Sequence, residues 1–217
     1  MKAAHRFIFA LCACAPPLKV RVRSFATAAL LFCAVPAVLG QTAGSVDFSF
    51  DPGSAVVGTV NVVAPAGNGK VYVGGNFHTV RGAVRYGIAR LNPDGTADQT
   101  FDPGSGPSDS SVSAVAVQAD GMVLIAGYFT SYNGVPRIRV ARLFSDGSLD
   151  TTFDPASGPN GGVYSIAQQA DGKVLIAGVF TQCAGVSRNS IARLNADGSL
   201  DATSILAPGH TAPIPLR

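Results

Sequence analysis

Pairs of aspartates recur along this sequence at a spacing that could bind a cation or share protons. The motif Asp-Gly-x-x-Asp occurs three times, at Asp94/Asp98, Asp146/Asp150 and Asp197/Asp201. It lacks the alternating oxygen ligands of a calcium-binding EF-hand loop. A carboxylate pair could also hydrolyse a glycosidic bond, but such a pair is needed once rather than in every copy. The repetition therefore favours architecture, in which the first Asp shapes a turn and the second pairs with a neighbour.

Arginines recur in two sets alongside these aspartates. The first set is Arg85, Arg137 and Arg188, and the second is Arg90, Arg142 and Arg193. Guanidinium groups bind carboxylates through two parallel hydrogen bonds, so the first set could bind anionic sugars or carboxylates. A structural role is the simpler interpretation for both sets, because a buried guanidinium in a strand needs a partner. We expect the second set to pair in an internal charge lattice with the repeated aspartates, which are Asp47, Asp98, Asp150 and Asp201.

The other chemically reactive residues form no recognisable site. His78 and His210 do not have the spacing of metal ligands, and the sequence has no nucleophile elbow, phosphate loop or nucleotide fingerprint. Cys183 is the only cysteine after residue 40, so it can form no disulfide within an exported chain. We predict no catalytic residue, no cofactor and no metal, with calcium at the aspartates as the alternative.

The sequence after the first 40 residues is a repeat of about 51 residues. Each copy starts with an Asp-rich segment at a spacing of 51 or 52 residues, and the starts are Asp47, Asp98, Asp150 and a weaker Asp201. Each copy also contains an apolar run that ends in phenylalanine, at Phe77, Phe129 and Phe180. A strand of the type IARL follows each run. Chance does not produce this register, so the copies must share one structure.

The composition predicts short strands joined by tight turns. Charged residues make up 13% of the chain, Gly and Pro number 25 and 14, and all 13 acidic residues are Asp. Asp and Gly favour turns, whereas the absent Glu favours helices. Each copy is expected to form four strands whose nearly continuous apolar runs suit sheets buried on both faces. We expect the repeated phenylalanines to lie in the core.

Four short strands in a unit of this length are typical of a β-propeller blade. The pattern V-x-x-(A/I)-x-Q-x-DGK-V-L-I-A-G-x-F, followed by RLN-x-DGSLD-x-x-F-DPG, also resembles the delta-60 repeat of large bacterial surface proteins. The resemblance covers residues 47–204 and departs from the pattern at Asn68, Met122 and Ser204. It implies a propeller fold and brings no catalytic residues with it.

The predicted fold is all-β and propeller-like, with three four-stranded blades. We expect a leader at residues 1–40, the repeat domain at 41–204 and a tail at 205–217, with repeats at about 47–97, 98–149 and 150–204. Closed propellers have about four to eight blades, so three blades predict an incomplete or open propeller with exposed apolar outer faces. The chain could associate with itself to complete a ring, form a capped open array, or be a fragment of a larger repeat protein.

The first 40 residues have the pattern of a secretory signal. Basic residues at 19–23 precede an apolar stretch at 24–35, and small residues at 38–40 offer a cleavage site before Gln41. The apolar stretch is shorter than the roughly 20 residues that a membrane span needs. We expect the mature protein to be secreted or held in the cell envelope, without a membrane span.

The segment before the basic residues needs its own explanation. Residues 1–17 contain a short apolar run and end in two prolines. Translation could begin downstream, at Val20 or Val22, or Cys14 could belong to a degenerate lipoprotein site. We favour the downstream start, because a lipidated Cys14 would leave the second apolar run unexplained.

The basic charge of the chain belongs to its leader. Five of the 16 basic residues lie in the first 40 positions, which leaves 11 basic and 13 acidic residues in the remainder. A nucleic-acid-binding protein needs a cluster of basic residues to neutralise phosphates. The sequence therefore predicts no nucleic-acid partner.

Two classes of function fit an exported propeller. One is a non-enzymatic scaffold or adhesion module that binds a protein or glycan partner at the cell surface. The other is an extracellular hydrolase or lyase that acts on a polysaccharide or a lactone. An enzyme should break the repeat symmetry with unique polar residues near the propeller axis. The unique positions Asp109, Tyr132 and Cys183 form no recognisable constellation, so the sequence favours the first class.

Overall fold

The computed structural model describes residues 49–51 and 56–203, all of which belong to one unit of the chain, Gly44–Arg217. The predicted leader and tail lie outside the described residues, as do Asp47 and Ser204. Within those two ranges, no helix is long and apolar enough to cross a membrane. Strands and turns account for the described secondary structure, apart from one short 3-10 turn at Ser108–Ser110.

The first copy of the repeat forms an antiparallel sheet, blade 1. Its strands are β1 (Val56–Gly67), β2 (Lys70–Val80), β3 (Ala83–Val84) and β4 (Ile88–Leu91). The long strand β2 pairs with β1 on one side and with both β3 and β4 on the other. β3 extends the far end of β2 into a short hairpin.

Blades 2 and 3 repeat this arrangement with a shorter first strand. Blade 2 consists of β5 (Val112–Val117), β6 (Val123–Gly127), β7 (Ser131–Tyr132), β8 (Val135–Pro136) and β9 (Val140–Leu143). Blade 3 consists of β10 (Val163–Gln168), β11 (Val174–Gly178), β12 (Gln182–Cys183), β13 (Val186–Ser187) and β14 (Ile191–Leu194). In each, the second strand is central and the two-residue hairpin forms its own ladder. The first strands β1, β5 and β10 contact one another in chain order.

The predicted fourth strand of each blade is reduced to a single bridge. The bridges join Leu91 to Ala97, Leu143 to Leu149 and Leu194 to Leu200. The chain then turns, because the carboxylate of the next aspartate accepts a hydrogen bond from the backbone N–H two residues on, as Asp98 does from Thr100 at 3.0 Å. A ladder cannot continue through a turning backbone, so the outer edge is shorter than a full strand.

The reversals between the first and second strands follow from the residues in the turns. Asn68 and Gly69 both have positive φ, 50° and 72°, as a two-residue hairpin turn requires. In blade 2 the turn is longer, and the carboxylate of Asp120 accepts a hydrogen bond from the backbone of Met122 at 3.0 Å. Asn tolerates the left-handed conformation, which explains why it replaces Asp in blade 1.

Alternating side chains give each sheet two apolar faces. The first face packs on the preceding blade and the second face on the following one. One buried cluster joins blades 1 and 2 through Tyr72, Ile88, Val123, Ile125 and Leu143. Another joins blades 2 and 3 through Leu124, Ala126, Val140, Ile176 and Leu194. This stacking is the arrangement predicted for propeller blades, and three of them form an open propeller.

The repeated phenylalanines lie inside these clusters. Phe77, Phe129 and Phe180 are buried within their own blades. Phe101 and Phe153, which lie near the start of the second and third copies, pack in the clusters that join blade 1 to blade 2 and blade 2 to blade 3. Burying one such side chain contributes about 1.5–3 kcal/mol. The start of each later copy therefore ties its blade to the one before it.

Blade 3 leaves its second face uncovered. Ile88 and Val140 are both 0% exposed at their blade junctions, whereas Ile191 at the equivalent position of blade 3 is 39% exposed. Leu124 is fully buried and its equivalent Leu175 is only partly so. The face is apolar because the repeat makes it so, and within residues 56–203 no following blade covers it.

The first face of blade 1 is open only along its first strand. Val63 is 60% exposed, although Ile166 at the same position of blade 3 is buried. Val73 and Leu91 of that face are buried in a cluster against which Phe50 packs. The two outer faces of the propeller therefore differ in how much apolar surface they show.

Candidate functional site

A buried aspartate near the end of each blade binds an arginine of the same blade. The Nε to Oδ2 distances are 2.6 Å for Arg90–Asp98, 2.7 Å for Arg142–Asp150 and 2.8 Å for Arg193–Asp201. The other carboxylate oxygen accepts hydrogen bonds from the N–H and hydroxyl groups of the threonine two residues on, which are Thr100, Thr152 and Thr203. Both oxygens of each carboxylate are thus occupied. We call each such group an Arg–Asp clamp.

The clamps keep their carboxylates ionised. Burial by itself would raise the pKa of Asp98, but hydrogen bonds from Lys70, Thr100 and Arg90 outweigh it and hold the pKa well below its usual range. The same balance of burial against hydrogen bonds lowers the pKa of Asp150. A general acid needs a pKa near the working pH. These carboxylates are therefore suited to fixing charge and poorly suited to donating protons.

A lysine joins the clamp in two of the three blades. Lys70 Nζ lies 2.8 Å from Asp98 Oδ2, and Lys173 Nζ lies 2.9 Å from Asp201 Oδ2. Blade 2 has Met122 at this position. In the described part of the chain, Arg142 is consequently the sole cation bonded to Asp150.

Replacing Met122 with lysine should add the missing ion pair to blade 2. The pair would be partly exposed to solvent, as Lys70 and Lys173 are, so we expect a gain of about 1 kcal/mol or less in the free energy of unfolding. Urea unfolding of M122K should be compared with that of M122Q, which removes the same thioether without adding charge. A midpoint for M122K no higher than that for M122Q would show that the lysine does not reach Asp150.

The clamp arginines also bind the next blade. Arg90 Nη1 donates to the backbone carbonyl of Ser145 and Arg142 Nη1 to that of Ala196, both at 2.7 Å. Arg193 has no such acceptor among the described residues, and its side chain is 27% exposed, compared with 13% for Arg90 and for Arg142. The clamp is therefore complete only where another blade follows.

The first aspartate of each repeated motif shapes a turn. Asp94 accepts hydrogen bonds from the N–H and hydroxyl groups of Thr96 at 2.9 and 2.7 Å, and these bonds lower its pKa. Asp146 and Asp197 do the same with Ser148 and Ser199. The two aspartates of a motif thus bind different partners. No three His, Cys or Asp side chains in the described ranges lie close enough together to hold a metal ion.

Each blade contains one arginine of the first set, which lies in or directly after the hairpin that follows the central strand. Arg85 and Arg137 are buried. Their Nη1 atoms each lie 3.8 Å from an aspartate Oδ1 in the segment that leads to the next blade, in Asp102 and Asp154 respectively. Nη1 of each arginine donates to the carbonyl of the preceding residue, as does that of Arg188. These guanidinium groups are held by their own hairpins, and no contact joins the three of them within the described residues.

The three unique positions noted in the sequence also remain apart. Tyr132 is buried, and its hydroxyl donates to the carbonyl of Gly147 at 2.7 Å. Cys183 occupies the equivalent position in blade 3, where burial raises the pKa of its thiol to about 11. Asp109 is exposed in the 3-10 turn with φ 59°. Tyr132 and Cys183 are thus core residues, and a protonated buried thiol is a poor nucleophile.

Two exposed tyrosines, which sequence reasoning missed, meet at the junction of blades 2 and 3. Tyr128 follows β6 and Tyr164 lies in β10. Their ring centroids are 5.7 Å apart with an interplanar angle of 60°, and their hydroxyl groups contact each other. They are 41% and 48% exposed. We call them the tyrosine pair.

An arginine lies beside the tyrosine pair. Arg139 Cζ is 5.7 Å from the ring centroid of Tyr128, and its Nη1 donates to the carbonyl of the same residue. Its Nε is buried without a hydrogen-bond acceptor. Its φ of 66° places a non-glycine residue in the left-handed region, where side chains are strained. The site therefore combines two exposed aromatic rings with a strained cation.

A comparison of blade with blade would have revealed this cluster. The strand registers show that Tyr128 of blade 2 is equivalent to Val179 of blade 3. They also show that Tyr164 of blade 3 is equivalent to Ser113 of blade 2. Arg139 corresponds to Gly87 and Ser190, which share its positive φ. Unique acids and nucleophiles are the usual signature of a catalytic site, whereas the residues unique to this junction are mainly aromatic.

Gly162 is another residue at this junction that differs from its equivalent in blade 2. A Cβ atom placed on it would lie 2.4 Å from Cζ of Tyr128, so a side chain there would displace that ring. Blade 2 has Ser111 at the equivalent position, as the matching hydrogen bonds to Tyr128 and Val179 show. The small residue at position 162 therefore makes space for the large one at position 128.

Three segments of the chain match the family described as a domain of unknown function (DUF5122) beta-propeller, at residues 66–101, 118–153 and 169–203. Each segment includes the central strand, the hairpin, the last strand and the Arg–Asp clamp of one blade. No curated protein matched the chain. The described part of this chain is an open β-propeller of three repeats, and each repeat is similar to that family.

Proposed function

We propose that this chain is an exported, non-enzymatic propeller module that binds a partner at the cell surface. One observation carries the proposal: residues that break the repeat symmetry lie together, with Tyr128 and Tyr164 exposed and half-buried Arg139 beside them. The clamp carboxylates are instead buried and bonded. Exposed groups of this kind serve recognition, whereas buried ion pairs serve the fold.

The ionisation of the candidate groups supports binding over hydrolysis. A glycosidase uses one carboxyl group with a raised pKa as general acid. Asp98 and Asp150 have lowered pKa values, and the Cys183 thiol has a raised one. The two carboxylates are therefore ionised and cannot act as general acids at neutral pH, and the thiol is protonated and a poor nucleophile.

The surface location rests on the predicted leader and on the resemblance to delta-60 repeats of bacterial surface proteins. The test is to express the full chain with its leader in a bacterium, fractionate the cells and determine the intact mass. We expect export and a mature chain that begins at Gln41. The exported protein is then screened for binding on glycan and protein arrays, and for turnover of polysaccharides and lactones. Binding without turnover supports the proposal, and turnover or retention in the cytoplasm overturns it.

We further propose that a second copy of the chain covers the open face of blade 3. The second faces of blades 1 and 2 are each covered by the first face of the next blade, so the same interface can continue between molecules. Blade 1 offers exposed Val63 and the turn carbonyl of Pro93, which corresponds to the acceptors of Arg90 and Arg142. Two copies would bring six blades together, within the range of closed propellers.

The solution mass of the exported protein tests this assembly. We expect a dimer for the wild-type chain and a monomer for Ile191→Asp, because the substitution places a charge in the interface. Val186→Asp is the control, since Val186 is equally apolar and is exposed in the hairpin of blade 3. A wild-type monomer, or a dimer that Ile191→Asp leaves intact, would contradict the proposed interface.

A further inference from the structure

The tyrosine pair and Arg139 form a surface with a specific chemistry. We infer that this surface binds a carboxylated polysaccharide, such as a chain of uronic acids. The inference rests on the proposed binding function and names its ligand class. Three features support it: the two aromatic rings, the unpaired cation and the open shape of the surface.

The two rings provide flat apolar surface with polar tips. Tyrosine offers a large and rigid contact area at little conformational cost, and its hydroxyl can donate or accept a hydrogen bond. A pyranose ring has the complementary character, with a face of C–H groups and a rim of hydroxyls. Rings tilted by 60° with centroids 5.7 Å apart can contact successive sugars or two sides of one sugar.

Arg139 supplies a cation that no carboxylate of the described residues neutralises. Arg90, Arg142 and Arg193 are each bonded to an aspartate, whereas Arg139 is in none of the ion pairs formed by residues 56–203. A guanidinium binds carboxylates through two parallel hydrogen bonds. A ligand carboxylate would satisfy the free side of this group.

The surface is open and lies at the ends of strands. Tyr164 is at a bulge of β10, where the register with β11 shifts between Val163 and Ser165. A bulge redirects a side chain away from the ladder. The described residues enclose no pocket. An exposed ridge of aromatic rings suits an extended polymer that lies across it better than a small molecule that needs enclosure.

The test measures binding of the full exported chain to alginate, a polymer of uronic acids. Dextran serves as a neutral polysaccharide, and poly-aspartate as a polymer with carboxylates but no sugar. We expect binding to alginate that weakens as salt is raised, and at least tenfold weaker binding to both controls. Equal binding to poly-aspartate, or equal binding to dextran, would overturn the assignment of a carboxylated sugar.

Three variants locate the site, and each introduces a residue that another blade carries. Tyr164→Ser, Tyr128→Val and Arg139→Ser should each weaken alginate binding at least tenfold without changing the circular dichroism spectrum. Arg139→Lys keeps the charge but loses the planar fork, so an intermediate loss is expected. Phe144→Asn is the matched control. It removes an exposed aromatic residue at the opposite end of β9 and should leave binding unchanged.

The outcomes separate this inference from the proposed function. Alginate binding that all three variants leave intact would overturn the site, as would a chain that binds another glycan or a protein but not alginate. Either result would leave the proposed binding function standing. Turnover of the polymer by the wild-type chain would overturn the proposed function, while loss of alginate binding in the variants would still support the site.

Discussion

Substitution of Arg142 by alanine should lower the free energy of unfolding by about 3 kcal/mol. The Asp150 side chain is 1% exposed and is bonded to this one cation. Without it, the buried carboxylate loses its counterion, and the pKa of Asp150 should rise because only the hydrogen bonds from Thr152 still oppose burial. The variant also loses the hydrogen bond from Arg142 to the carbonyl of Ala196 in the next blade. Urea unfolding of the full chain measures the change.

Arg193→Ala is the matched control for this substitution. Asp201 keeps its ion pair with Lys173 at 2.9 Å, and Arg193 has no partner in a following blade within the described residues. We therefore expect less than half of the loss found for Arg142→Ala. Equal losses would show that neither the lysine nor the bond between blades contributes. The double variant Arg142→Ala, Asp150→Asn should recover part of the stability, because a neutral amide costs less to bury than an unpaired charge.

The repeat period was enough to predict the fold. Turn residues such as Asn92-Pro-Asp-Gly95 end one strand and begin another, and apolar runs on both sides of the sheet require blades that stack. The extent of the fourth strand was harder to predict, because it depends on a local competition. The carboxylate of Asp98 stabilises a turn directly after a single β-bridge. The residue pattern does not show whether a longer β-ladder or this turn is the more stable.

The contents of the candidate site depend on contacts between blades, which a repeat pattern does not specify. Phe101 lies near the start of the second copy and packs between blades 1 and 2, with its ring centroid 5.3 Å from that of Tyr72, since the chain crosses the junction before the next strand begins. Tyr128 and Tyr164 are 36 residues apart and meet only because two neighbouring sheets bring the ends of β6 and β10 together. Alignment of the copies emphasises the residues that they share, whereas this cluster consists of residues that differ between copies.

The passage of the chain from blade 1 to blade 2 leaves no room for a side chain at Gly147, and Gly147→Ala should show it. Gly147 has φ of 95°, and a Cβ atom there would lie 2.6 Å from the carbonyl oxygen and 2.7 Å from the carbonyl carbon of Asp102. Both atoms belong to backbone that cannot rotate away. The backbone N–H of Asp102 also donates a hydrogen bond to the backbone carbonyl of Asp146 at 2.7 Å across the junction. Strain and overpacking together should cost about 2–5 kcal/mol.

Gly121→Ala separates the strain from the clash. Gly121 has a similar φ of 85°, but a Cβ atom there meets nothing within 4 Å, so only the cost of the left-handed backbone, about 1–2 kcal/mol, should appear. Urea unfolding of both variants gives the comparison, and equal losses would mean that the junction yields to the new methyl group. If the clash is real, Gly147→Ala should also broaden the transition, because stacked repeats unfold together only while their junctions hold. A sharp transition at lower urea would instead show that the three blades remain one cooperative unit.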